Sequence, residues 1–169
     1  INASGKGARF VRFCDCFNIP VIHFQDSPGV MIGQEEEYRS IIKIGSKMLQ
    51  ATTEATVPKI TLILRHSYAG AQLCMCNKPM GADFVFAWPT AEIALVGPET
   101  AASGIYAKEI ATAKNPEELR ERRRKEYADL WINPYMAAER GDVDDVIEAE
   151  DTRRILSRSL EVVKNKAEE

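Results

Sequence analysis

Lys59-Ile-Thr-Leu-Ile-Leu-Arg65, followed directly by His66-Ser-Tyr-Ala-Gly-Ala71, is the stretch of sequence that decides the fold class. The first seven residues are rich in β-branched side chains and almost continuously apolar, which is typical of a strand covered on both faces in a parallel sheet. The next six residues mix polar side chains with a glycine. They predict a turn that leads into a helix through Leu73 and Met75.

Similar patterns recur on both sides of this strand. Residues 21–24 predict a short strand that ends at Asp26, and residues 84–88 and 91–96 predict two more. The helical spacing of apolar residues predicts helices over residues 5–17, 35–53, 98–113 and 115–131, and a last helix from residue 151 or 152. Because strands alternate with helices, we expect a single α/β domain with largely parallel pairing.

The composition excludes several classes of protein. The chain has 169 residues, of which 45% are hydrophobic, so it can form one domain with a substantial core. A net charge of -3 gives no reason to expect nucleic-acid binding, and the basic run at residues 120–125 stands among glutamates, as on a solvated helix face. No apolar stretch approaches the ~20 residues that span a membrane, and the first nine residues do not resemble a signal peptide. We therefore expect a cytoplasmic protein, or one of the mitochondrial matrix if the source is eukaryotic.

The four cysteines form two closely spaced pairs, Cys14-Asp-Cys16 and Cys74-Met-Cys76. On a helix, residues two positions apart point about 200° away from each other, so neither pair presents both thiols on one face. Structural zinc sites use wider spacings and a matched second pair. The pattern predicts buried, reduced cysteines and no metal site.

The residue sets of common catalytic sites are missing from the sequence. It has no G-x-S-x-G elbow, no phosphate-binding loop, no G-x-G-x-x-G after a strand and no H-E-x-x-H. His23 falls within a predicted strand and is expected at the core or the sheet edge. His66 follows a strand, but the sequence suggests no carboxylate partner for it.

Two glycine-containing loops follow predicted strands, where open α/β sheets place their ligands. The first is Asp26-Ser-Pro-Gly-Val-Met-Ile-Gly33 and the second is Tyr68-Ala-Gly-Ala71. Backbone N–H groups at the start of a helix are unpaired and can bind an anion or a developing oxyanion. Tight turns that need glycine for their backbone angles are common, and on physical grounds alone this simpler interpretation is favoured.

Several separated blocks, spread over residues 6–152, resemble the carboxyltransferase β subunits of propionyl-CoA and related acyl-CoA carboxylases. The segment Asp26-Ser-Pro-Gly29 is similar to the D-x-P-G-F motif of that family, and the two glycine loops occur in the same order. The other similar blocks are Gly7-Ala-Arg-Phe-Val-Arg-Phe-Cys-Asp15, Phe17-Asn-Ile-Pro20, Ala55-Thr-Val-Pro-Lys59, Trp88-Pro-Thr-Ala-Glu-Ile93, and Asn133-Pro134 with Val143-Asp-Asp-Val-Ile147.

The resemblance implies an architecture. It implies a crotonase-like fold, a superhelix of β-β-α units, in which residues 1–169 form the C-terminal domain on the biotin side. The N-terminal half of the family, which binds CoA, has no counterpart in this sequence. The partners implied are that N-terminal half, a biotin carboxyl carrier protein, an acyl-CoA and further copies of the chain in a homo-oligomer.

The resemblance also implies a reaction and a set of site residues. Carboxybiotin on a separate carrier protein gives up CO2 to the α-carbon of a short acyl-CoA of the propionyl or methylmalonyl type. The biotin-side oxyanion is expected at the backbone N–H groups of Gly70 and Ala71. Pro28, Gly29 and Val30 would form the wall of the biotin site, and Leu73 would line the acyl pocket. No dedicated protein base is needed if the biotin nitrogen takes the α-proton.

The chain departs from the family pattern at two positions near this site. The family usually has glycine where Ala69 stands, a change that is harmless if the φ angle there is negative. The family usually has an aromatic residue where Val30 stands, which puts the exact substrate in doubt.

Three other functions stay open on the sequence. A biotin-dependent decarboxylase of a malonyl-type CoA ester would run the same half-reaction in reverse with the same loops. A non-catalytic assembly module would bind a partner subunit through an exposed apolar surface. A crotonase-type hydratase would need a positioned carboxylate, for which Glu92 is the candidate, although strand pairing explains Glu92 equally well.

Overall fold

The computed structural model describes residues 1–166, which form five parallel strands and the helices that cover them. The strands are β1 (Val21–Ser27), β2 (Lys59–Tyr68), β3 (Phe84–Ala87), β4 (Glu92–Ala94) and β5 (Asp145–Val146). The sheet order is β1-β2-β3-β5, and β4 also pairs with β2. The predicted α/β class and parallel pairing are therefore confirmed. The two-residue strand β5 was not predicted, because it is too short to show a pattern.

Strand β2 is the centre of the sheet and is longer than its apolar run predicts. Ile60 and Leu62 are completely buried in its first half, where β3 pairs with it. The strand continues through Tyr68, so the predicted turn at residues 66–71 is wrong for its first three residues. These polar residues form a strand because β4 pairs with them, from His66 opposite Glu92 onward.

The first half of the chain supplies the helices that pack beside β1 and β2. Helix α1 (Asn2–Cys16) packs against α3 (Ile41–Glu54) through a core that includes Val11, Met48 and Ala51. The contact is tight, because a Cβ atom at Gly7 would lie 2.8 Å from the sulfur of Met48. The other helices of this half are α2 (Gln34–Tyr38), α4 (Ala69–Cys74) and a 3-10 turn, Lys78–Met80.

The second half of the chain contains the remaining helices. They are α5 (Pro98–Gly104), α6 (Ala107–Thr112), α7 (Pro116–Tyr127), a π-helical turn (Ala128–Ile132), α8 (Pro134–Glu139), a 3-10 turn (Ala149–Asp151) and α9 (Thr152–Val163). Helix α9 begins at the predicted residue. The basic run lies on α7, where Arg123 pairs with Glu109 and Glu126, so its interpretation as a solvated, charge-paired helix is confirmed.

Three predicted helices are interrupted or change their form. The helix predicted over residues 35–53 is broken at Ser40, whose φ of 68° is left-handed and separates α2 from α3. The helix predicted over residues 98–113 is split into α5 and α6. The one predicted to reach Trp131 is α-helical only to Tyr127 and continues as the π-helical turn. Apolar periodicity continues across each break, and so it did not reveal the change in backbone angles. Among residues 1–166, no helix is long and apolar enough to cross a membrane.

Candidate functional site

The two predicted loops lie side by side at one edge of the sheet. Because β1 and β2 are adjacent and parallel, the loop that follows Ser27 and the helix α4 that follows Tyr68 emerge at the same edge. A Cβ atom built on Gly70 would lie 3.8 Å from Cγ2 of Val30. The structure thus brings together residues that the sequence separates by forty positions.

A cavity of about 340 Å³ lies between these loops and the N-terminal helices. Three of the six predicted site residues line it, namely Gly29, Val30 and Ala71. The other three do not line it: Gly70 and Pro28 are exposed, and Leu73 is half-buried. The remaining lining residues are mostly apolar and come from α1, α3, α4 and the first loop: Ile1, Ala3, Ser4, Gly7, Ser27, Met31, Ile41, Met48, Cys74 and Met75.

The backbone of the second loop is strained at an alanine. Ala69 has a φ of 53°, so the condition under which this departure from the family pattern would be harmless, a negative φ, is not met. Gly70, in the first turn of α4, has no positive φ, so the simpler interpretation, a glycine needed for its backbone angles, does not hold there. In the first turn of a helix the N–H groups lack intrahelical acceptors, so those of Gly70 and Ala71 can donate to a ligand.

The first loop does need its glycines. Gly29 and Gly33 have φ angles of 133° and 145°, a region that L side chains rarely adopt. For these two residues the backbone interpretation of glycine was correct. The three residues between these two glycines are exposed, most of all Ile32, whose relative exposure is 91%.

His66 has carboxylate neighbours that its position in the sequence did not suggest. Its Nδ1 atom lies 3.1 Å from Oδ1 of Asp26, and its Nε2 atom lies 4.0 Å from Oε2 of Glu92. Hydrogen bonding from Arg65, followed by the backbone N–H of His66, lowers the pKa of the Asp26 carboxyl. The strand register that places Glu92 opposite His66 was the missing information.

Glu92 has a structural partner, which weakens the hydratase interpretation. The hydroxyl of Tyr68 donates a hydrogen bond to Oε2 of Glu92. Burial and this bond both raise the pKa of the Tyr68 hydroxyl. Glu92 therefore helps to hold the end of β2, as strand pairing predicted.

His23 lies in the core, as predicted. Its relative exposure is 6%, and neither ring nitrogen has a hydrogen-bond partner among residues 1–166. Burial and the nearby charge of Lys59 lower the pKa of His23 to about 4. The imidazole is therefore neutral at physiological pH and does not line the cavity.

The cysteines do not form a metal centre. Within the described part of the chain, no three His, Cys, Asp or Glu residues are grouped so that they could hold a metal ion. Cys14 and Cys76 are buried, as predicted, whereas Cys16 is exposed and Cys74 is half-buried at the cavity wall. Burial raises the pKa of the Cys76 thiol to about 11.

The comparison with protein families identifies the family of the chain. The family model described as the carboxyl transferase domain matches residues 1–169, the whole chain. The chain belongs to the carboxyl transferase domain family.

Relatives in this carboxyl transferase family are about half identical to the chain. The methylmalonyl-CoA carboxyltransferase 12S subunit of Propionibacterium freudenreichii subsp. shermanii is 52% identical, over 98% of this chain and 32% of that protein. The biotin-dependent acetyl-/propionyl-coenzyme A carboxylase beta5 subunit of Mycobacterium leprae (strain TN) is 50% identical, over 98% of this chain and 31% of that protein. The chain thus spans about a third of the length of these curated relatives.

A solved carboxyl transferase structure confirms the fold. The crystal structure of the transcarboxylase 12S subunit, described as a hexamer with methylmalonyl-coenzyme A and methylmalonic acid bound, superposes with a TM-score of 0.95 at 50% identity. The match covers 99% of this chain and 32% of that one. The crotonase-like fold that the resemblance implied is therefore confirmed.

Proposed function

We propose that this chain is the biotin-facing, C-terminal domain of a carboxyltransferase that moves CO2 between carboxybiotin and the α-carbon of a short acyl-CoA. One observation carries the proposal. In a chain of the carboxyl transferase family, the Gly29-Val30 loop and the start of α4 meet at one apolar cavity. Biotin is a substrate of this domain, since a carrier protein delivers it, and its carboxylated ureido group supplies the CO2.

The chemistry requires that negative charge on the biotin ureido oxygen be stabilised. The N–H groups of Gly70 and Ala71 can do this without a charged side chain, because they are fixed in the first turn of α4 and lack intrahelical acceptors. Their fixed orientation means that no reorganisation is needed when the charge develops. We assign them the role of the biotin-side oxyanion hole.

The first loop forms the wall of the proposed biotin site. Gly29 and Val30 line the cavity, and Pro28 precedes them at its exposed side. The apolar lining of the cavity suits the hydrocarbon part of biotin, while the N–H groups of α4 suit its polar ureido head. A ligand that approaches Gly70 would also contact Val30, because the two positions are neighbours.

Most of the acyl-CoA site is assigned to other parts of the assembly, and Leu73 is the one residue of this chain assigned to it. Leu73 does not line this cavity, and we propose that it contacts the acyl group from the other side of α4. The CoA site and the second oxyanion hole are assigned to the N-terminal half of the family, and the chain as a whole to the C-terminal domain. The proposed partners are that half, a biotin carboxyl carrier protein and further copies of this chain.

The test is a transfer assay with the assembled enzyme. This chain and a CoA-binding half, on one polypeptide or two, are mixed with methylmalonyl-CoA and a biotin derivative, and carboxybiotin is followed by mass. Transfer that requires both halves supports the proposal. With propionyl-CoA then added as acceptor, loss of CO2 from the carboxybiotin without its transfer to propionyl-CoA would favour the decarboxylase alternative. A stable, folded assembly without any turnover would overturn the proposal in favour of an assembly module.

A further inference from the structure

A buried hydrogen bond links the ends of β1 and β2 directly beneath the proposed site. The side-chain nitrogen Nε2 of Gln25 donates to Oγ of Ser67 over 2.8 Å. Both residues have a relative exposure of 1%, so the bond is shielded from water. Burial of a glutamine amide is costly unless it is paired, which makes this contact a specific feature of the strand ends.

The bond lies where the regular hydrogen-bonding ladder between β1 and β2 is interrupted. Gln25 on β1 pairs with Ile63 on β2, and Ser27 on β1 pairs with Ser67 on β2. Between these two pairs, β1 advances by two residues and β2 by four. The extra residues on β2 form an irregularity between these pairs. Backbone pairing holds Ser67 opposite Ser27 on β1 and Ile93 on β4, and the side chain of Gln25 adds a direct link across the irregular interval.

The position of Ser67 determines where the oxyanion hole begins. Ser67 is two residues before Ala69, whose left-handed backbone turns the chain into α4. A non-glycine residue in this conformation persists only when its surroundings hold it there. The bond from Gln25 is one of the contacts that hold the end of β2 in this way.

Gln25 also faces the underside of α4. It lines a small cavity of about 80 Å³ together with Ser67 and Gln72, the last of which lies on α4 next to Ala71. On the opposite face of β1, Asp26 contacts Arg65 and His66 at the exposed side of the sheet edge. The link through Gln25 is therefore the buried one of the two attachments.

We propose that Gln25 is a positioning residue for carboxyl transfer, which acts through Ser67 to set the location of the Gly70 and Ala71 N–H groups. This inference rests on the proposed function. The misplacement of an oxyanion donor lowers the rate of the chemical step, whereas the walls of the biotin site, and hence binding, are largely unaffected.

The kinetic test uses shape-matched variants in the assembled carboxyltransferase. Gln25→Met and Ser67→Ala each remove the bond, and we expect kcat to fall by about tenfold to a hundredfold while the KM for the biotin derivative stays close to that of the wild type. The double variant should be no slower than the slower single variant, because both changes remove the same interaction. Ser67→Thr keeps a hydroxyl that can accept from Gln25, and it should recover most of the kcat that Ser67→Ala loses.

The matched control is Thr152→Val, which removes the side-chain hydrogen bond from Trp88 Nε1 to Thr152 Oγ1 (2.9 Å) at the start of α9. It should lower thermal stability to a similar extent and leave kcat unchanged. If Gln25→Met lowers stability but not kcat, as the control does, Gln25 is merely structural and the inference is overturned.

Amide exchange separates this inference from the proposed function. The N–H of Met75 donates to the carbonyl of Ala71 over 3.1 Å and reports the integrity of α4. In Gln25→Met this amide should exchange about tenfold faster than in the wild type, as expected for loss of one buried hydrogen bond. Inactive wild-type enzyme would refute the proposed function but leave this result valid. Unchanged exchange, with an active wild type and unchanged kcat, would refute the inference alone.

Discussion

Oδ1 of Asp26 lies 3.1 Å from Nδ1 of His66, although forty positions separate the two residues in the chain. Asp26 is near the end of β1 and His66 is in the second half of β2, so parallel pairing brings them to the same edge of the sheet. Asp26 also accepts hydrogen bonds from Arg65 and from the backbone N–H of His66. One carboxylate thus joins the first loop of the site to the strand that leads into the second.

This carboxylate makes stability depend on pH. The pKa of Asp26 is lowered from 3.8, first by hydrogen bonding from Arg65 and then by the His66 backbone. A lowered pKa contributes stability that is present above pH 3.8 and is lost as the pH falls through the pKa of the folded state. We expect Asp26→Asn to unfold at a lower denaturant concentration than the wild type at pH 6, and the difference to shrink below pH ~3.8. A difference that does not change with pH would show that the charge of Asp26 is not the cause.

The buried imidazole of His23 gives the stability of the fold a second and separate dependence on pH. Its pKa falls from 6.5 to about 4 on folding, so protonation favours the unfolded chain between these values. Stability from the neutral imidazole is complete above pH 6.5 and decreases as the pH falls, by about 2 kcal/mol between pH 7.5 and 5.

The variant that tests this is His23→Leu. It should be at least as stable as the wild type at pH 7.5, because neither ring nitrogen has a hydrogen-bond partner in the described part of the chain. The free energy of unfolding of this variant should be measured with denaturant at pH 7.5 and at pH 5. It should lack the part of the decrease that protonation of His23 causes in the wild type. A variant that keeps the full wild-type decrease would mean that other groups cause it.

The left-handed backbone of Ala69 indicates that a substitution within the site can stabilise the fold. A left-handed φ of 53° destabilises the fold by roughly 1 kcal/mol when the residue is alanine, and glycine adopts this angle without that cost. Ala69→Gly should therefore be neutral or stabilising, despite the extra entropy of glycine in the unfolded state. The measurement is the shift of the denaturant midpoint.

The matched control for Ala69 is Ala111, an exposed alanine within α6. Ala111→Gly should destabilise by about 1 kcal/mol, since it places glycine in ordinary helical geometry. Equal destabilisation by the two substitutions would contradict the left-handed conformation of Ala69.

The thiols should differ in their reactivity toward a small alkylating reagent. Cys16 is exposed, whereas Cys14 and Cys76 are buried, and burial raises the pKa of Cys76 to about 11. Native protein should be labelled fastest at Cys16 and more slowly at Cys74. Peptide mass mapping of the labelled sites would check the order, and labelling of Cys76 as fast as Cys16 would refute the packing described for it.

Much of the fold could be predicted from the sequence because its signals are local. The apolar run at residues 59–65 and the alternation of strands with helices indicated a parallel α/β sheet. The breaks at Ser40 and at residues 105–106 were missed, since backbone angles change there without any change in apolar spacing. The extension of β2 to Tyr68 was missed because it depends on pairing with β4, a contact between distant parts of the chain.

The candidate site, too, could be predicted from the sequence only where its signals are local. Glycine loops after two strands were visible in the sequence, and the family resemblance assigned roles to Gly70 and Ala71. The partners of His66 and Ser67 could not be predicted, because they depend on strand order and register. The sign of φ at Ala69 is also a tertiary property, so the sequence left open whether that angle is negative or positive.

The measurement that tests the central claim most directly compares two glycine-to-valine variants in the transfer assay. Among residues 1–166, a Cβ atom at Gly70 would have only Cγ2 of Val30 within 4 Å, and a Cβ atom at Gly104, at the end of α5, would have no neighbour, so both variants should fold. The account predicts that Gly70→Val lowers carboxyl transfer by about a hundredfold or more, while Gly104→Val keeps full activity. Wild-type activity in Gly70→Val would contradict the assignment of the biotin-side oxyanion hole to α4.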